Sequence, residues 1–352
     1  MQNTMATWGC GALADIDTDP EPAWRATPAE ALQQQGGAQT PSVWAVVLAG
    51  GQGTRLQAFL RQTLGTERPK QFCRIIGTRS MLRHTWDRGA RLLDPDRMVT
   101  IVTAGQEPYL LDEEHVPGRV LVQPANKETA PGLLLPLLWI AQQDPRAVVA
   151  IFPADHFVWE EQRFITHVRS AVRAAQRYPD RLVVLGVEAD GPDHGYGWMA
   201  PGLPCDGGGA ELYHVRRFWE KPDRQTAARL FASGHFWNTF VLAGHLGVFL
   251  HLARSAMPEV FEPLSLAAAF LGTRYEAEVL ASTYRSLRPM NFSRTLLAKR
   301  PGDLLMLPAR GVYWSDWGDP DRILRTLRRF NHRPQWLPAY ARMAAGGAGL
   351  SG

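Results

Sequence analysis

Cysteine is scarce in this 352-residue sequence. Cys10, Cys73 and Cys205 are odd in number and lack metal-ligand spacing. That excludes a disulfide scaffold and a zinc ribbon. With no signal-peptide pattern, it points to a reducing cytoplasm. Lysines are also few, although Lys and Arg together number 38 against 34 Asp and Glu, a net charge of +4. The excess positive charge is therefore arginine. Arg322, Arg325, Arg328 and Arg329 fall at helical spacing near the end. Without an aromatic readout motif they read as a solvated helix face, not a nucleic-acid patch. Long apolar runs are missing too. The richest, residues 239–253, contains His245 and His251 and is shorter than the ~20 apolar residues that span a bilayer. No internal repeat is visible. Neither nucleic acid nor a membrane is an expected partner.

What is present is a globular composition, 45% hydrophobic, with a pI of about 9.1 that suits polyanionic substrates. Residues 1–41, rich in Ala, Gln, Gly, Pro and Thr, read as a disordered tail with a short helix over 28–35. A catalytic domain is expected over 42–335 and a C-terminal tail over 336–352. Strand patterns fall at 43–49, 98–103, 119–123, 147–152, 182–187, 212–219, 238–243, 303–307 and 312–316. Helical patterns fall at 80–93, 130–142, 161–177, 223–232, 245–255, 292–299 and 320–330. In the segment 161–177, Phe164, Ile165, Val168, Ala171, Val172 and Ala175 form one apolar stripe, with His167 facing solvent. Alternating strands and helices predict an α/β fold with a mostly parallel sheet between helical layers.

The most informative segment is Leu48-Ala49-Gly50-Gly51-Gln52-Gly53-Thr54-Arg55-Leu56, directly after the strand-like run Val43-Trp44-Ala45-Val46-Val47. Glycines without Cβ let backbone N–H groups approach an anion. Arg55 adds a planar, permanently charged fork. The loop is neither a Walker loop, which ends Gly-Lys-Ser/Thr, nor a G-x-G-x-x-G fingerprint. Taken alone, it is also an ordinary tight turn. Pro69-Lys70-Gln71-Phe72 follows soon after. Further on, Pro153-Ala154-Asp155-His156 closes another apolar run, where an α/β fold places its chemistry. Asp155 there is a hard oxygen ligand suited to Mg²⁺, and equally a residue for a strand-end turn. His156 is read as shaping that turn.

The glycine loop with Pro69-Lys70-Gln71-Phe72 resembles the sugar-nucleotide pyrophosphorylases, specifically the mannose-1-phosphate guanylyltransferases, whose members read close to L-A-G-G-x-G-T-R-L and P-K-Q-F. The resemblance runs from residue 43 to 330. Gln123-Pro124-Ala125-Asn126-Lys127-Glu128-Thr129-Ala130-Pro131 resembles the segment E-P-x-x-R-N-T-A-P-A against the nucleotide. His194-Gly195-Tyr196-Gly197-Trp198 resembles the sugar-side turn G-Y-G-Y. Phe218-Trp219-Glu220-Lys221-Pro222 resembles F-x-E-K-P, and Phe236-Trp237-Asn238-Thr239-Phe240 resembles W-N-S-G. Val312-Tyr313-Trp314-Ser315-Asp316-Trp317-Gly318-Asp319 resembles V-x-W-x-D-V-G-S.

The resemblance implies a three-layer Rossmann-like nucleotidyltransferase fold, limited to the catalytic domain. It implies transfer of a nucleotidyl group from an NTP, with GTP expected, to a sugar 1-phosphate, with mannose 1-phosphate expected. Arg55, Lys70 and Asp155 would be catalytic. Leu48, Ala49, Gly50, Gly51, Gly53, Thr54, Gln123, Thr129 and Ala130 would hold the nucleotide. Gly197, Glu220, Lys221 and Asn238 would hold the sugar phosphate. Asp155 and Asp316 would hold Mg²⁺. A homodimer stays open. The chain departs from the family at Thr239 and Phe240, where Ser and Gly are usual. It also departs at Asn291 and Phe292, which map on an acidic residue and a Tyr. Two rival readings are a methylerythritol cytidylyltransferase, which would show L-A-A-G and lack the E-K-P and W-N segments, and a regulatory subunit that senses sugar nucleotides.

Overall fold

The computed structural model describes residues 41–347. The tail expected over 1–41, its short helix and Cys10 thus lie, but for residue 41, outside the described residues. The chain begins its fold with β1 (Val43–Leu48), which pairs in parallel with β2 (Met98–Thr103) and β4 (Val148–Pro153); β2 pairs with β3 (Arg119–Gln123). β2 and β4 are apolar-rich throughout and buried at every residue. This is the pattern of parallel strands covered on both faces.

Five further strands complete one nine-stranded sheet: β6 (Leu182–Glu188), β7 (Gly197–Pro204), β8 (Tyr213–Glu220), β9 (Phe236–His245) and β10 (Leu304–Pro308). The order is β3-β2-β1-β4-β9-β6-β10-β8-β7, and only β8 and β9 run against the rest. The expected mixed, mostly parallel sheet is therefore present. One face carries α3 (Thr129–Gln143), α6 (Leu246–Ala256), α7 (Pro258–Ala268) and α8 (Glu276–Ser286); the other carries α2 (Met81–Ala90), α4 (Glu161–Arg177) and α5 (Arg224–Ala232). The α4 stripe is buried as expected, and His167 is half-exposed beside the Arg310 carbonyl at 3.1 Å.

Several elements differ from the sequence expectation. β7 reads as a turn because it contains Pro201, Gly202 and Pro204; its register shifts at Pro201 and Pro204, where a strand tolerates proline. α7 and α8 were not expected: Pro258 starts α7 at a position that suits proline, but Pro263 interrupts its pattern. Residues 292–299 contain a π-helical turn, Ser293–Leu297. Within 312–316 only β11 (Trp314–Ser315) pairs, with β5 (Phe157–Val158), in a separate ribbon. The expected C-terminal tail over 336–352 is corrected in part. Trp336 is buried, and α10 (Leu337–Gly347) follows it. Phe59 of α1 (Gln57–Leu64) meets Trp336 and Tyr340 edge-on at 5.5 and 5.1 Å. Aromatic burial ties this segment to the body, so the packed domain runs past 335.

Two features of the topology open a site. The chain leaves β1 toward β2 on one side and returns to β4 on the other, so the carboxyl ends of β1 and β4 form a switch point. Beside it, β9 pairs with β4 through Leu242–His245 and with β7 through Phe236 and Trp237. Between these pairings β9 bulges, with Phe240 at φ 57°.

Candidate active site

A pocket of about 400 Å³ occupies this switch point. Its size is that of small-molecule sites. Of the sequence-derived residues, it is lined by Leu48, Gly50, Gly51, Arg55, Lys70, Gln123, Thr129, Asp155, Gly197, Glu220, Lys221, Asn238 and Asp316. Ala49, Gly53, Thr54 and Ala130 do not line it. Ala49 and Ala130 are buried, and the Ala130 N–H donates to the Met290 carbonyl at 2.9 Å. Gly53 acts indirectly: at φ 63°, an added Cβ would stand 3.1 Å from the Lys70 backbone nitrogen.

The glycine loop is held by its carbonyls. Gln71 Nε2 donates to the carbonyls of Ala49 and Gly51 at 2.6 and 2.7 Å. Thr103 Oγ1 donates to Gly50 O at 2.8 Å, and Gln106 Nε2 to Gly51 O at 3.0 Å. A trans peptide sets N–H opposite C=O. The amides of Gly50, Gly51 and Gln52 therefore face away from these donors. A Cβ on Gly50 would fall 2.5 Å from Gln123 Nε2 and 3.0 Å from Thr103 Oγ1, so a side chain there would displace this hydrogen-bonded pair. Gln71, 2% exposed, is a pocket-lining residue to which sequence reasoning gave no role; its place in Pro-Lys-Gln-Phe was the available signal. Among the described residues Arg55 has no hydrogen-bond or carboxylate partner, so its guanidinium is available to an anion.

At the centre, Lys70 is 4% exposed and its Nζ sits 2.9 Å from Asp155 Oδ2. The same ammonium donates to the backbone carbonyls of Asp316 and, at 3.2 Å, Trp317. Burial works to raise the Asp155 pKa, but the charges of Lys70 and His156 and the Lys70 hydrogen bond prevail and lower it. Burial lowers the His156 pKa to about 4, so this imidazole is neutral near pH 7. Its Nδ1 accepts from Trp314 Nε1 at 3.3 Å and its Nε2 lies 3.7 Å from Asp155 Oδ1. It packs edge-on against the Trp314 ring at 5.1 Å and lines the pocket.

Of the late arginines, Arg325, Arg328 and Arg329 are exposed as expected, and Arg322 is not. It is 5% exposed and not on a solvated face. Its Nη1 donates to both Asp316 carboxylate oxygens at 2.7 and 2.9 Å, and Nη2 to Asp193 at 2.6 Å. Burial opposes ionisation of Asp316, yet Arg322 and Lys70 outweigh it and lower its pKa.

Asp155 and Asp316 are hard oxygen donors on one pocket. Among the described residues no group of three or more candidate ligands gathers. Two carboxylates nonetheless fit Mg²⁺, which commonly takes one or two and completes its shell with substrate phosphates and water. Asp155 Oδ1 faces His156 Nε2 at 3.7 Å, whereas Asp316 shares its oxygens with Arg322 and the Gly318 N–H.

The opposite end is built on β7, β8 and β9. Gly197 lets Glu220 and Asn238 converge: a Cβ there would meet Glu220 Oε2 at 3.1 Å and Asn238 Cβ at 3.2 Å. Lys221 Nζ stands 3.9 Å from Glu220 Oε1. Burial raises the Glu220 pKa, with Lys221 opposing. Asn238 Oδ1 accepts from the Phe240 N–H at 2.9 Å, which fixes the bulge. The Phe240 ring lines the pocket and meets Phe292 edge-on at 6.1 Å.

A glycine loop, a central Lys-Asp pair and a polar far wall thus share one cleft in the order of the motifs. The profile of the family described as nucleotidyl transferase matches residues 44–332. The chain belongs to this family. It is 29% identical over 293 residues to the xanthan biosynthesis protein XanB of Xanthomonas campestris, covering 79% of this chain and 58% of that one. It is 30% identical over 233 residues to a mannose-1-phosphate guanylyltransferase of Escherichia coli, covering 63% of this chain and 46% of that one. The chain therefore spans about half the length of the curated relatives it matches. A crystal structure described as a mannose-1-phosphate geranyltransferase from Thermus thermophilus superposes with a TM-score of 0.69 at 26% identity, covering 83% of this chain and 80% of that one. Among the described residues no helix is long and apolar enough to cross a membrane.

Proposed function

We propose that the protein transfers a nucleotidyl group from GTP to mannose 1-phosphate, releasing pyrophosphate and forming a nucleotide sugar. The observation that carries this reading is the cleft itself, with anion-ready amides and free Arg55 at one end, Glu220, Lys221 and Asn238 at the other, and Lys70 with Asp155 between. Family membership supports the reaction class. The relatives named mannose-1-phosphate guanylyltransferase support the substrate pair.

A phosphate oxygen of the sugar 1-phosphate attacks the α-phosphorus. That P–O bond forms as the bond to the bridging oxygen of the β-phosphate breaks, and the electron pair leaves on pyrophosphate. The chain supplies in-line positioning and charge neutralisation, not covalent chemistry. The loop amides and Arg55 hold the leaving phosphates. Lys70, poised beside Asp155, neutralises charge at the reacting centre. Lys221 meets the sugar phosphate, and Glu220 and Asn238 accept from or donate to sugar hydroxyls. Asp155 and Asp316 would hold Mg²⁺, which when bound supplies positive charge shared by the two reacting phosphates.

A panel of NTPs and sugar 1-phosphates, read by pyrophosphate release and product mass, tests this. GTP with mannose 1-phosphate should lead, and ATP should be poorer by roughly 10²-fold, because a guanine-reading pocket leaves buried polar groups unmet with adenine. Equal turnover with ATP removes the guanine assignment. Binding of sugar nucleotides without any turnover would instead establish the sensing subunit.

A further inference from the structure

Arg322, the third residue of α9 (Pro320–Arg329), is the most heavily bridged cation of the described chain. Three carboxylates surround it: Asp193 at 2.6 Å, Asp316 at 2.7 Å and Asp319 at 3.2 Å. Its guanidinium carbon lies 3.9 Å from the centroid of the Tyr196 ring. Two loops close on it through glycines. A Cβ on Gly195 would fall 2.3 Å from Nη2, and one on Gly318 would fall 3.0 Å from Nη1 and 2.7 Å from Asp316 Oδ2. Asp319 also caps the helix through the Arg322 N–H at 3.0 Å, which fixes where the side chain starts.

One loop, Asp193 to Gly197, leads into the wall that carries Glu220 and Asn238; the other carries Asp316. A planar fork with five donors can hold two carboxylates in fixed relative geometry, which an ammonium cannot. We propose that Arg322 is a positioning residue that locks the sugar-side loop to the Asp316 loop, holding the sugar phosphate in register with the metal-bearing carboxylate. It does so at the expense of metal affinity, because it neutralises Asp316 and occupies both of its oxygens. The proposal rests on the functional reading above.

The two halves predict opposite signs. In Arg322→Met, Mn²⁺ should bind about 3- to 10-fold tighter, since Asp316 regains its full charge. Mannose 1-phosphate, measured with a non-reacting GTP analogue present, should bind about tenfold or more weakly. Arg322→Lys keeps the charge and loses the fork, so it should weaken mannose 1-phosphate while moving Mn²⁺ little. Asp193→Asn, which loosens the sugar-side loop and leaves Arg322 on Asp316, should weaken mannose 1-phosphate and leave Mn²⁺ no tighter than in wild type. Partial unfolding lowers both affinities together, so parallel losses would overturn the proposal, as would three variants that bind both ligands like wild type. If Arg322→Met does not fold, the Lys and Asn variants decide: unchanged mannose 1-phosphate affinity in both sinks the idea. Both readouts are binding constants. A protein that shows these shifts but turns over no substrate pair refutes the reaction and leaves the role of Arg322 standing.

Discussion

Gln71→Leu isolates the support of the glycine loop. The substitution keeps the side chain near its volume and removes the amide that bonds Ala49 O at 2.6 Å and Gly51 O at 2.7 Å. Gly51 O retains Gln106 Nε2 at 3.0 Å, but Ala49 O loses its side-chain donor. Two lost bonds at about 1 kcal/mol each and one orphaned buried carbonyl at about 1–3 kcal/mol suggest a loss of about 2–4 kcal/mol, allowing for the bond that Gly51 keeps. For a chain of this length each kcal/mol moves Tm by roughly 2 °C, so a drop of about 4–8 °C is expected in scanning calorimetry. A loop no longer held should also bind the triphosphate poorly. The KM for GTP should rise about tenfold, with the KM for mannose 1-phosphate nearly unchanged. A lower Tm with an unchanged GTP KM would refute the assignment of this loop to the nucleotide. A rise confined to the sugar phosphate would reverse the two ends of the cleft.

Asp155→Asn and Asp316→Asn should each reduce turnover by roughly 10²- to 10³-fold, and together by far less than the product, because they act on one centre; near wild-type rates at limiting Mg²⁺ in either would remove that residue from the site. Lys70 and Arg322 pair with these carboxylates, so each substitution leaves a buried cation short of a partner and Tm should fall by a few degrees. His156 titrates at about 4 when folded against an ordinary 6.5, so the unfolded chain binds the extra proton first. Stability should be complete above about pH 6.5 and fall as pH drops toward 4; urea melts across that window should flatten in His156→Gln, and an unchanged slope would contradict the buried neutral imidazole. Gly53→Ala should lose about 1–2 kcal/mol in chemical denaturation, since it forces a Cβ at φ 63° against the Lys70 backbone, and should also lower turnover by displacing Lys70; an unperturbed variant would show that the turn tolerates a side chain.

Local order was legible in the residues themselves. Apolar runs before Gly50 and Asp155 identified the strands whose ends line the cleft, because a buried parallel strand must be apolar on both faces. The stripe of α4 was equally legible from its period. Motif order located Arg55, Lys70, Asp155 and Asp316 before any fold was known. What the sequence by itself could not determine is how charges separated by long stretches of chain satisfy one another. Arg322 lies on a helix rich in arginine and looks solvated by spacing. Only the approach of the Asp193 loop and the Asp316 loop buries it. Likewise β7 is a strand because β8 and β9 offer it partners on both sides, a gain that outweighs two prolines and two glycines. The glycine loop keeps its conformation because Gln71, Thr103 and Gln106, from three different segments, hold its carbonyls. Periodicity and motif report what one segment prefers. Hydrogen bonds and ion pairs between distant segments exist only after the sheet has brought them together, and in this protein those contacts set the geometry of the site.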